Sequence, residues 1–411
     1  MVSRKQVILI MILVLILVII SGLVWVNYQF VKNNPGGNDF LSYYVGARAL
    51  IFKGVSPYSE EVALEIQNLV IGRSPISSEY EPRVTYPLYS VLLFVPFALI
   101  GEFVFARVAW MIFLEISLLA TAFMALKLFE WKPKLTLLGL YYLFSVFWYP
   151  AFRSLINGNA VIIVGLMMTG AMYAIKAEKD KIAGILLAFS TIKPHLVILV
   201  IIFILVWCLY QKKTELIIWY FVSMLVLILG GILVIPNWIL QNIWEILNYP
   251  TYNPAGSIAD VIGSWFPGIR TIIKWLINGS MGFLLIYEWW IARKQEFQWF
   301  LWTVCITLLI SLFIGIQPDQ GNFILLFAPF VMIIAFLDKR WNKVGRTAAV
   351  TLIVIVLFGL WISFITTLNY DPQPAQSPLF YFPLPVIVLV GLYWIKWWVT
   401  GSKQILLNDN A

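Results

Sequence analysis

Residues 7–28 read VILIMILVLILVIISGLVWVNY, a long and almost entirely apolar run that follows Arg4 and Lys5. A helix needs about 20 such residues to cross the hydrocarbon core of a bilayer. The run is too long for the apolar part of a signal peptide, and it has no small-residue cleavage site. We therefore expect residues 7–28 to form a retained first transmembrane helix.

The composition of the whole chain also indicates a membrane protein. Of 411 residues, 61% are hydrophobic and 12% are charged, and the mean hydropathy is +0.89. A soluble domain has roughly 45–50% apolar and about 25% charged residues. Cys208 and Cys305 both lie inside apolar runs, which favours buried thiols over a disulfide or metal site. The composition argues against a soluble enzyme, a nucleic-acid binder, a disordered chain and a disulfide scaffold, and it predicts an all-α polytopic membrane protein.

Apolar runs of spanning length recur along the chain. Two of them, 182–193 and 194–210, are separated only by the break at Pro194. The runs predict about 12 transmembrane helices, at 7–28, 102–128, 135–150, 159–176, 182–193, 194–210, 216–236, 270–291, 297–316, 322–337, 347–368 and 381–399.

The orientation of the chain depends on the stretch 86–100, which is short and contains Pro87 and Pro96. If it does not span, 18 of the 28 basic residues fall in short loops on the side of the N-terminus, as the positive-inside rule requires. We therefore expect a half-depth segment at 86–100, a plasma-membrane protein and cytoplasmic termini.

Two long loops, 29–85 and 237–269, then lie on the outer face, and 12 of the 20 acidic residues lie in outer loops or in segment 102–128. Long loops in a compact protein are usually functional or disordered. The first loop is predicted to contain two amphipathic helices at the membrane surface, with Asn38 or Asp39 capping the first. Their apolar stripes are Phe40, Tyr43, Tyr44, Ala47, Leu50 and Ile51, and then Val62, Ile66, Leu69 and Val70.

Asp39 is the first candidate for chemistry. It follows the first predicted span by about ten residues, so we expect it at the outer membrane boundary. A carboxylate there can act as a general base on a hydroxyl group. The alternative is a helix cap that only satisfies backbone amides.

Lys193, Pro194 and His195 form the second candidate. The proline turns the chain back after Lys193, which places a cation and the single histidine at the outer end of a hairpin. An ammonium group at this depth can bind a lipid-linked phosphate, or it can snorkel to the headgroups. Arg153 and Arg270 are further phosphate candidates.

Further ionisable residues, and the motifs that the sequence does not contain, limit the classes of reaction that this chain could catalyse. Glu102, Arg107 and Glu115 can share one face of a helix, with Glu115 near mid-membrane. The sequence contains no phosphate-binding P-loop, no GxGxxG motif and no His-Cys metal spacing. Group transfer on the outer face would have to use a donor embedded in the membrane.

The run Asp39-Phe40-Leu41-Ser42-Tyr43-Tyr44-Val45-Gly46-Ala47-Arg48-Ala49-Leu50, followed by Gly54-Val55-Ser56-Pro57-Tyr58, resembles the signature of glycosyltransferase family 87. This family belongs to the GT-C class of polyprenyl-phosphate-sugar-dependent enzymes and includes mannosyltransferases of phosphatidylinositol mannoside synthesis. Further matches follow in the same order, at Tyr86-Pro87-Leu88, Asn157-Gly158-Asn159 and Lys193-Pro194.

The resemblance implies a GT-C fold with a catalytic module at 1–210 and a variable transmembrane module at 211–411. It makes Asp39 the catalytic base and places Lys193 at the donor phosphate, with inverting chemistry and no metal or other cofactor. The same motifs suggest that substrate contacts come from Tyr43, Tyr44, Arg48, Tyr58, Asn157 and Asn159.

One late outer loop departs from the family pattern. Family members often have Ser-Pro followed by histidine there, whereas this chain has Gln317-Pro318-Asp319-Gln320-Gly321-Asn322. We expect Asp319, Gln320 and Asn322 to bind substrate in place of those histidines.

The sequence thus predicts a glycosyltransferase that moves mannose or another hexose or pentose from a polyprenyl-phosphate donor to an extracytoplasmic lipid or glycan acceptor. Its partners would be these substrates and membrane lipids, with no nucleic acid. Two alternatives are a transporter or flippase of lipid-linked saccharides and a non-catalytic assembly subunit.

Overall fold

The computed structural model describes residues 4–34, 36–73, 81–252, 257–314, 319–368 and 377–401, and these residues are almost all helical. A π-helical turn, Ala49–Lys53, continues the second helix, and short 3-10 turns lie at Pro267–Ile269, Gln320–Leu326 and Pro378–Tyr381. The α-helices in chain order are α1 (Arg4–Asn33), α2 (Asn38–Arg48), α3 (Glu60–Ile71), α4 (Leu88–Leu92), α5 (Val95–Ala98), α6 (Phe103–Leu128), α7 (Leu135–Phe147), α8 (Tyr149–Asn157), α9 (Val161–Lys176), α10 (Asp180–Ser190), α11 (Pro194–Tyr210), α12 (Thr214–Val234), α13 (Trp238–Tyr252), α14 (Ile258–Ser264), α15 (Arg270–Ala292), α16 (Phe297–Ile314), α17 (Phe327–Arg340), α18 (Asn342–Thr367) and α19 (Pro383–Thr400).

Several of these helices can cross a membrane, which agrees with a multi-pass helical protein. Within the described ranges, seven helices are long and apolar enough to span, and eight if the bent pair α7–α8 is one span. The predicted count of 12 is not confirmed, because α1 is not among the spans found within the described residues and because α9, α10 and α11 have only 16, 11 and 17 residues. These lengths lie at or below the usual lower limit of about 17 residues for a span.

The loop after α1 contains α2 and α3, and the start of α2 differs from the expectation. Gly37 is the N-cap residue, with φ of 80°, and no side chain caps the helix. The prediction that Asn38 or Asp39 caps α2 is therefore wrong. A Cβ on Gly37 would lie 2.5 Å from Nε of Arg107, so this close approach and the positive φ both require glycine. Asp39 consequently lies inside the first helical turn.

The second helix of this loop, α3, has a side-chain cap at its start and a glycine at its end. The Ser59 hydroxyl accepts a hydrogen bond from the Val62 amide, and Gly72 closes the helix in the left-handed conformation. The position of α2 and α3 at the membrane surface stays a prediction.

The stretch 86–100 forms two very short helices, α4 and α5, of five and four residues. Neither is long enough to cross a bilayer. They pack against α2, and α4 also contacts α12. This stretch therefore lies between α2 and the bundle.

Phe40 attaches α2 to the rest of the bundle. Its ring is completely buried, and its centroid lies 5.6 Å from the Trp110 ring on α6. The Trp110 indole donates a hydrogen bond of 2.8 Å to the carbonyl of Gly158, which ends α8 in the left-handed conformation. A Cβ on Gly158 would lie 2.5 Å from Cβ of Phe40, so only glycine fits between α2 and the α8–α9 turn.

The second half of the chain packs directly on the first. Almost every side chain of α17 is buried, and the 3-10 turn Gln320–Leu326 before it contacts α8 and α9. This turn places Asp319 beside the first half. The proposed domain boundary at residue 210 stays a prediction.

We predict that Gly158→Ala destabilises the protein by about 2–4 kcal/mol, because alanine adds left-handed strain and an overlap with Phe40. The midpoint of thermal unfolding in uncharged detergent measures this effect. Gly139→Ala on α7 is the matched control, since a Cβ there meets nothing within 4 Å. Equal midpoints for the two variants would contradict the proposed close contact.

Candidate functional site

Four charged side chains from four separate parts of the chain interact at one place, which we call the charged cluster. It contains Asp39 on α2, Arg153 on α8, Lys193 between α10 and α11, and Asp319 before the Gln320–Leu326 turn. All four are residues that the sequence singled out. Successive members are separated by 40 to 126 positions along the chain, so only the tertiary fold brings them together.

Asp39 faces the cluster from the first turn of α2. Burial raises the pKa of its carboxyl group above the ordinary value, and the charge of Lys193 opposes this rise. Asp319 raises the pKa further, whereas Arg153 and a hydrogen bond from the Asn159 side chain lower it. Asp39 is therefore a carboxylate whose affinity for a proton is increased.

Lys193 occupies a turn that α4 holds in place. The α10 helix ends at Ser190, so the carbonyls that follow it need other donors. The Tyr89 hydroxyl donates to the Thr191 carbonyl, and the Ser90 hydroxyl donates to the Ile192 carbonyl, both at 3.1 Å. Pro194 then begins α11, a position for which its fixed φ is suited.

The Lys193 ammonium group is 3% exposed and is held by two asparagines. Nζ donates to Oδ1 of Asn159 at 2.7 Å and to Oδ1 of Asn322 at 3.4 Å. Burial lowers the pKa of Lys193, and the charges of Asp39 and Asp319 oppose this change. The Asn159 oxygen also accepts from the Val161 amide, which ties Lys193 to the start of α9.

Arg153 and Asp319 form the second charged pair. Nε and a terminal nitrogen of Arg153 donate to the two carboxylate oxygens of Asp319, at 3.3 and 3.0 Å. Burial raises the pKa of Asp319, but Arg153 and the Gly321 amide outweigh that effect, so the pKa lies below its ordinary value. Asp319 is thus held as an anion. The Ser154 hydroxyl donates to the Gly321 carbonyl and joins the same turn to α8.

Two tyrosines belong to this site although the sequence did not single them out for it. Nζ of Lys193 lies 4.9 Å from the centroid of the Tyr86 ring, which stacks on Tyr43. Tyr381 lies near Asp319, and burial together with that charge raises its pKa to about 12. In the sequence, only its place before Pro87, in one of the motifs that carry the family resemblance, pointed to Tyr86.

The other predicted site residues have different surroundings. Tyr44, Arg48 and Tyr58 donate hydrogen bonds to the carbonyls of Ile100, Ala98 and Tyr86, so they connect the segment after α1 to the stretch 86–100. Their roles as substrate contacts stay predictions.

Four further predicted residues lie around or away from the cluster. Gln320 is almost fully buried, and Asn157 ends α8 with a partly exposed side chain. His195 is close enough for Lys193 to act on it electrostatically. Arg270 is exposed at the start of α15 and is not part of the cluster. Gln317 and Pro318, which define the departure from the family pattern, lie outside the described residues.

An apolar groove of about 300 Å³ lies directly beside the Lys193 turn. It runs between α4, the end of α10 and α12. Its lining residues are Tyr89, Leu92, Leu93, Phe189, Ile192, Val226, Leu227 and Gly230.

The charges of the cluster balance, because two carboxylates face two cations. Burial raises the pKa of Asp39, which suits a general base, and the charges of Lys193 and Arg153 limit that rise. Lys193 and Arg153 offer donors that suit a phosphate group. The arrangement can therefore accept a proton and stabilise a phosphate leaving group in one place.

The sequence model of glycosyltransferase family 87 matches residues 85–314, which is more than half of the chain. The match includes Arg153, Asn159 and Lys193, whereas Asp39 and Asp319 lie outside it. No curated protein and no solved structure matches the chain. Because the matched part is so large and the fold is a helical bundle with several potential spans, the chain belongs to glycosyltransferase family 87 and is a membrane glycosyltransferase.

Proposed function

We propose that the protein transfers a sugar from a polyprenyl-phosphate donor to a lipid or glycan acceptor on the extracytoplasmic face of the plasma membrane. The observation that carries this proposal is the charged cluster, where Asp39 lies beside Lys193 and the Arg153–Asp319 pair. Family membership supports sugar transfer, and the cluster supports a phosphate leaving group.

The reaction follows from the charges of the cluster. The acceptor hydroxyl oxygen forms a bond to the anomeric carbon, while the bond from that carbon to the donor phosphate oxygen breaks. The hydroxyl proton passes to Asp39, and the electron pair of the broken bond leaves with polyprenyl phosphate. A single displacement inverts the configuration at the anomeric carbon.

Lys193 is our proposed ligand for the departing phosphate. The oxygens of Asn159 and Asn322 orient its ammonium group but carry no formal charge. Once Asp39 has taken the hydroxyl proton and is neutral, the positive charge of Lys193 is available to the departing phosphate. Arg153 contributes a second cation, and His195 and Arg270 stay further candidates. The apolar groove beside Ile192 can take the first isoprene units of the donor.

The remaining substrate contacts are proposed from the same placement. Tyr86 and Tyr43 form an aromatic wall next to Lys193, and aromatic faces of this kind pack well against a sugar ring. Asn322 and Asp319 approach from the opposite half of the chain. The identity of the sugar is a question for a panel of labelled donors.

We predict that Asp39→Asn lowers the transfer rate by about 10²–10⁴-fold, because the amide cannot accept the proton. The assay uses the purified protein, labelled polyprenyl-phosphate sugars and native membrane lipid as the acceptor source. Asp180→Asn is the matched control, since Asp180 also pairs with a lysine, Lys213, but lies at the far end of α10. An Asp39→Asn variant within about tenfold of the wild type would exclude Asp39 as the base.

We predict an acidic limb in the pH profile of kcat/KM, with an apparent pKa above the ordinary aspartate value of about 3.9. The rate falls as the pH decreases because protonated Asp39 cannot act as a base, and burial raises its pKa. Asp319 cannot produce this limb, since its pKa is lowered. A profile that stays flat down to about pH 4 would argue against Asp39.

We predict that Lys193→Gln weakens donor use by about 10²-fold, because one charge-assisted contact to the phosphate is lost. Initial rates at varied donor concentration measure the effect. Lys213→Gln removes a partly buried lysine at the start of α12, and it should leave these rates unchanged. If both variants behaved alike, the loss would reflect stability rather than phosphate binding.

A further inference from the structure

A second cleft, of about 900 Å³, lies on the other side of α2 from the charged cluster. Its walls come from the end of α1, from α2 and its π-helical turn, from α3 and from the start of α6. The ends of spanning helices lie near the boundary between hydrocarbon and headgroups. The cleft therefore opens at the level where lipid headgroups are found.

The α2 helix lies between this cleft and the charged cluster, and each of its two faces lines one of these sites. Asn38, Leu41, Val45, Arg48 and Phe52 recur at intervals of three and four residues and all line the cleft. Asp39 and Tyr43, which are also four residues apart, face the cluster and the Tyr86 ring. The cleft is thus distinct from the catalytic site but begins one residue from Asp39.

Arg107 is a buried cation in the lining of this cleft. Its side chain is 1% exposed, and no carboxylate of the described residues pairs with it. Two of its nitrogens donate to the carbonyls of Asn34 and Ile156, and its Nε has no partner within the described part of the chain.

The two acidic residues that share α6 do not neutralise Arg107. Glu102 is exposed at the N-terminal end of the helix. Glu115 instead accepts two hydrogen bonds from the Asn27 side chain on α1, both at 3.1 Å. A buried charge without a partner is strongly unfavourable, so an anion from outside the chain would complete this site.

Most of the other charged residues that line the cleft are also positive. Arg48, Lys53 and the exposed Lys32 also line it. Glu65 is the single acidic residue in the lining, and Lys53 pairs with it at 2.7 Å. Leu41, Val45, Phe103 and Val104 add an apolar wall between the cations.

We propose that this cleft binds an anionic phospholipid, with its phosphate near Arg107 and Lys32 and its first acyl carbons against the apolar wall. The lipid supplies the missing counter-ion and fixes the Gly37 end of α2, from which Asp39 projects. This site goes beyond sugar transfer and does not depend on the proposed reaction.

Lipid titration of the purified full-length protein in uncharged detergent tests the proposal. Phosphatidylglycerol should raise the thermal unfolding midpoint and remain bound in native mass spectrometry, whereas phosphatidylcholine should do neither. Lys32→Gln should weaken the apparent affinity for phosphatidylglycerol about fivefold, as expected for one cation near an anionic headgroup. Arg107→Gln should abolish the effect.

Lys127→Gln is the matched control, because Lys127 is also exposed in the last turn of a spanning helix, at the other end of α6. This variant should respond to phosphatidylglycerol like the wild type. The proposal is overturned if the wild type does not distinguish the two lipids, if Lys32→Gln responds like the wild type, or if Lys127→Gln loses as much as Lys32→Gln. Inorganic phosphate that stabilises as well as phosphatidylglycerol would also overturn it.

Discussion

The burial of Asp39 and Lys193 in one place is the constraint around which the rest of the structure is arranged. A buried charge is tolerated when an opposite charge and hydrogen bonds accompany it. Lys193 therefore requires Asp39, Asp319 and the oxygens of two asparagines, and these come from distant parts of the chain. The 3-10 turn that carries Asp319 must consequently pack on α8, which joins the two halves of the protein at the site.

Three local features make this arrangement possible. The turn at Lys193 is held because hydroxyl groups of α4 satisfy the carbonyls at the end of α10. Gly158 lets α2 approach the α8–α9 turn closely enough for Phe40 to pack on Trp110. Gly37 lets the chain enter α2 without a side-chain cap, so the carboxylate of Asp39 is not used for capping and remains available to the cluster.

The two sides of α2 differ in their balance of charge, and our two proposals give them different roles. The cluster pairs two carboxylates with two cations, so its groups can exchange a proton and hold a phosphate while the net charge stays small. The cleft on the other side has Arg107 and Lys32 with no matching acid among the described residues. In our two proposals, one side of α2 carries the transfer chemistry and the other side binds an anionic lipid.

The sequence by itself determined the helical membrane class and the positions of the long apolar helices, because apolar runs and prolines are visible without coordinates. It also singled out Asp39, Lys193, Arg153 and Asp319, because charges in apolar surroundings stand out in a sequence. It could not decide the number of spans, since α9, α10 and α11 have marginal lengths and only packing sets their depth. It placed the cap of α2 wrongly, because the conformation of Gly37 depends on the nearby Arg107. Only the tertiary structure decided that Tyr86 joins the site and that Arg270 lies apart from it. It also decided that Glu115 accepts from Asn27, which leaves Arg107 without a carboxylate partner among the described residues. Side-chain partners from distant segments are chosen by packing and not by sequence spacing.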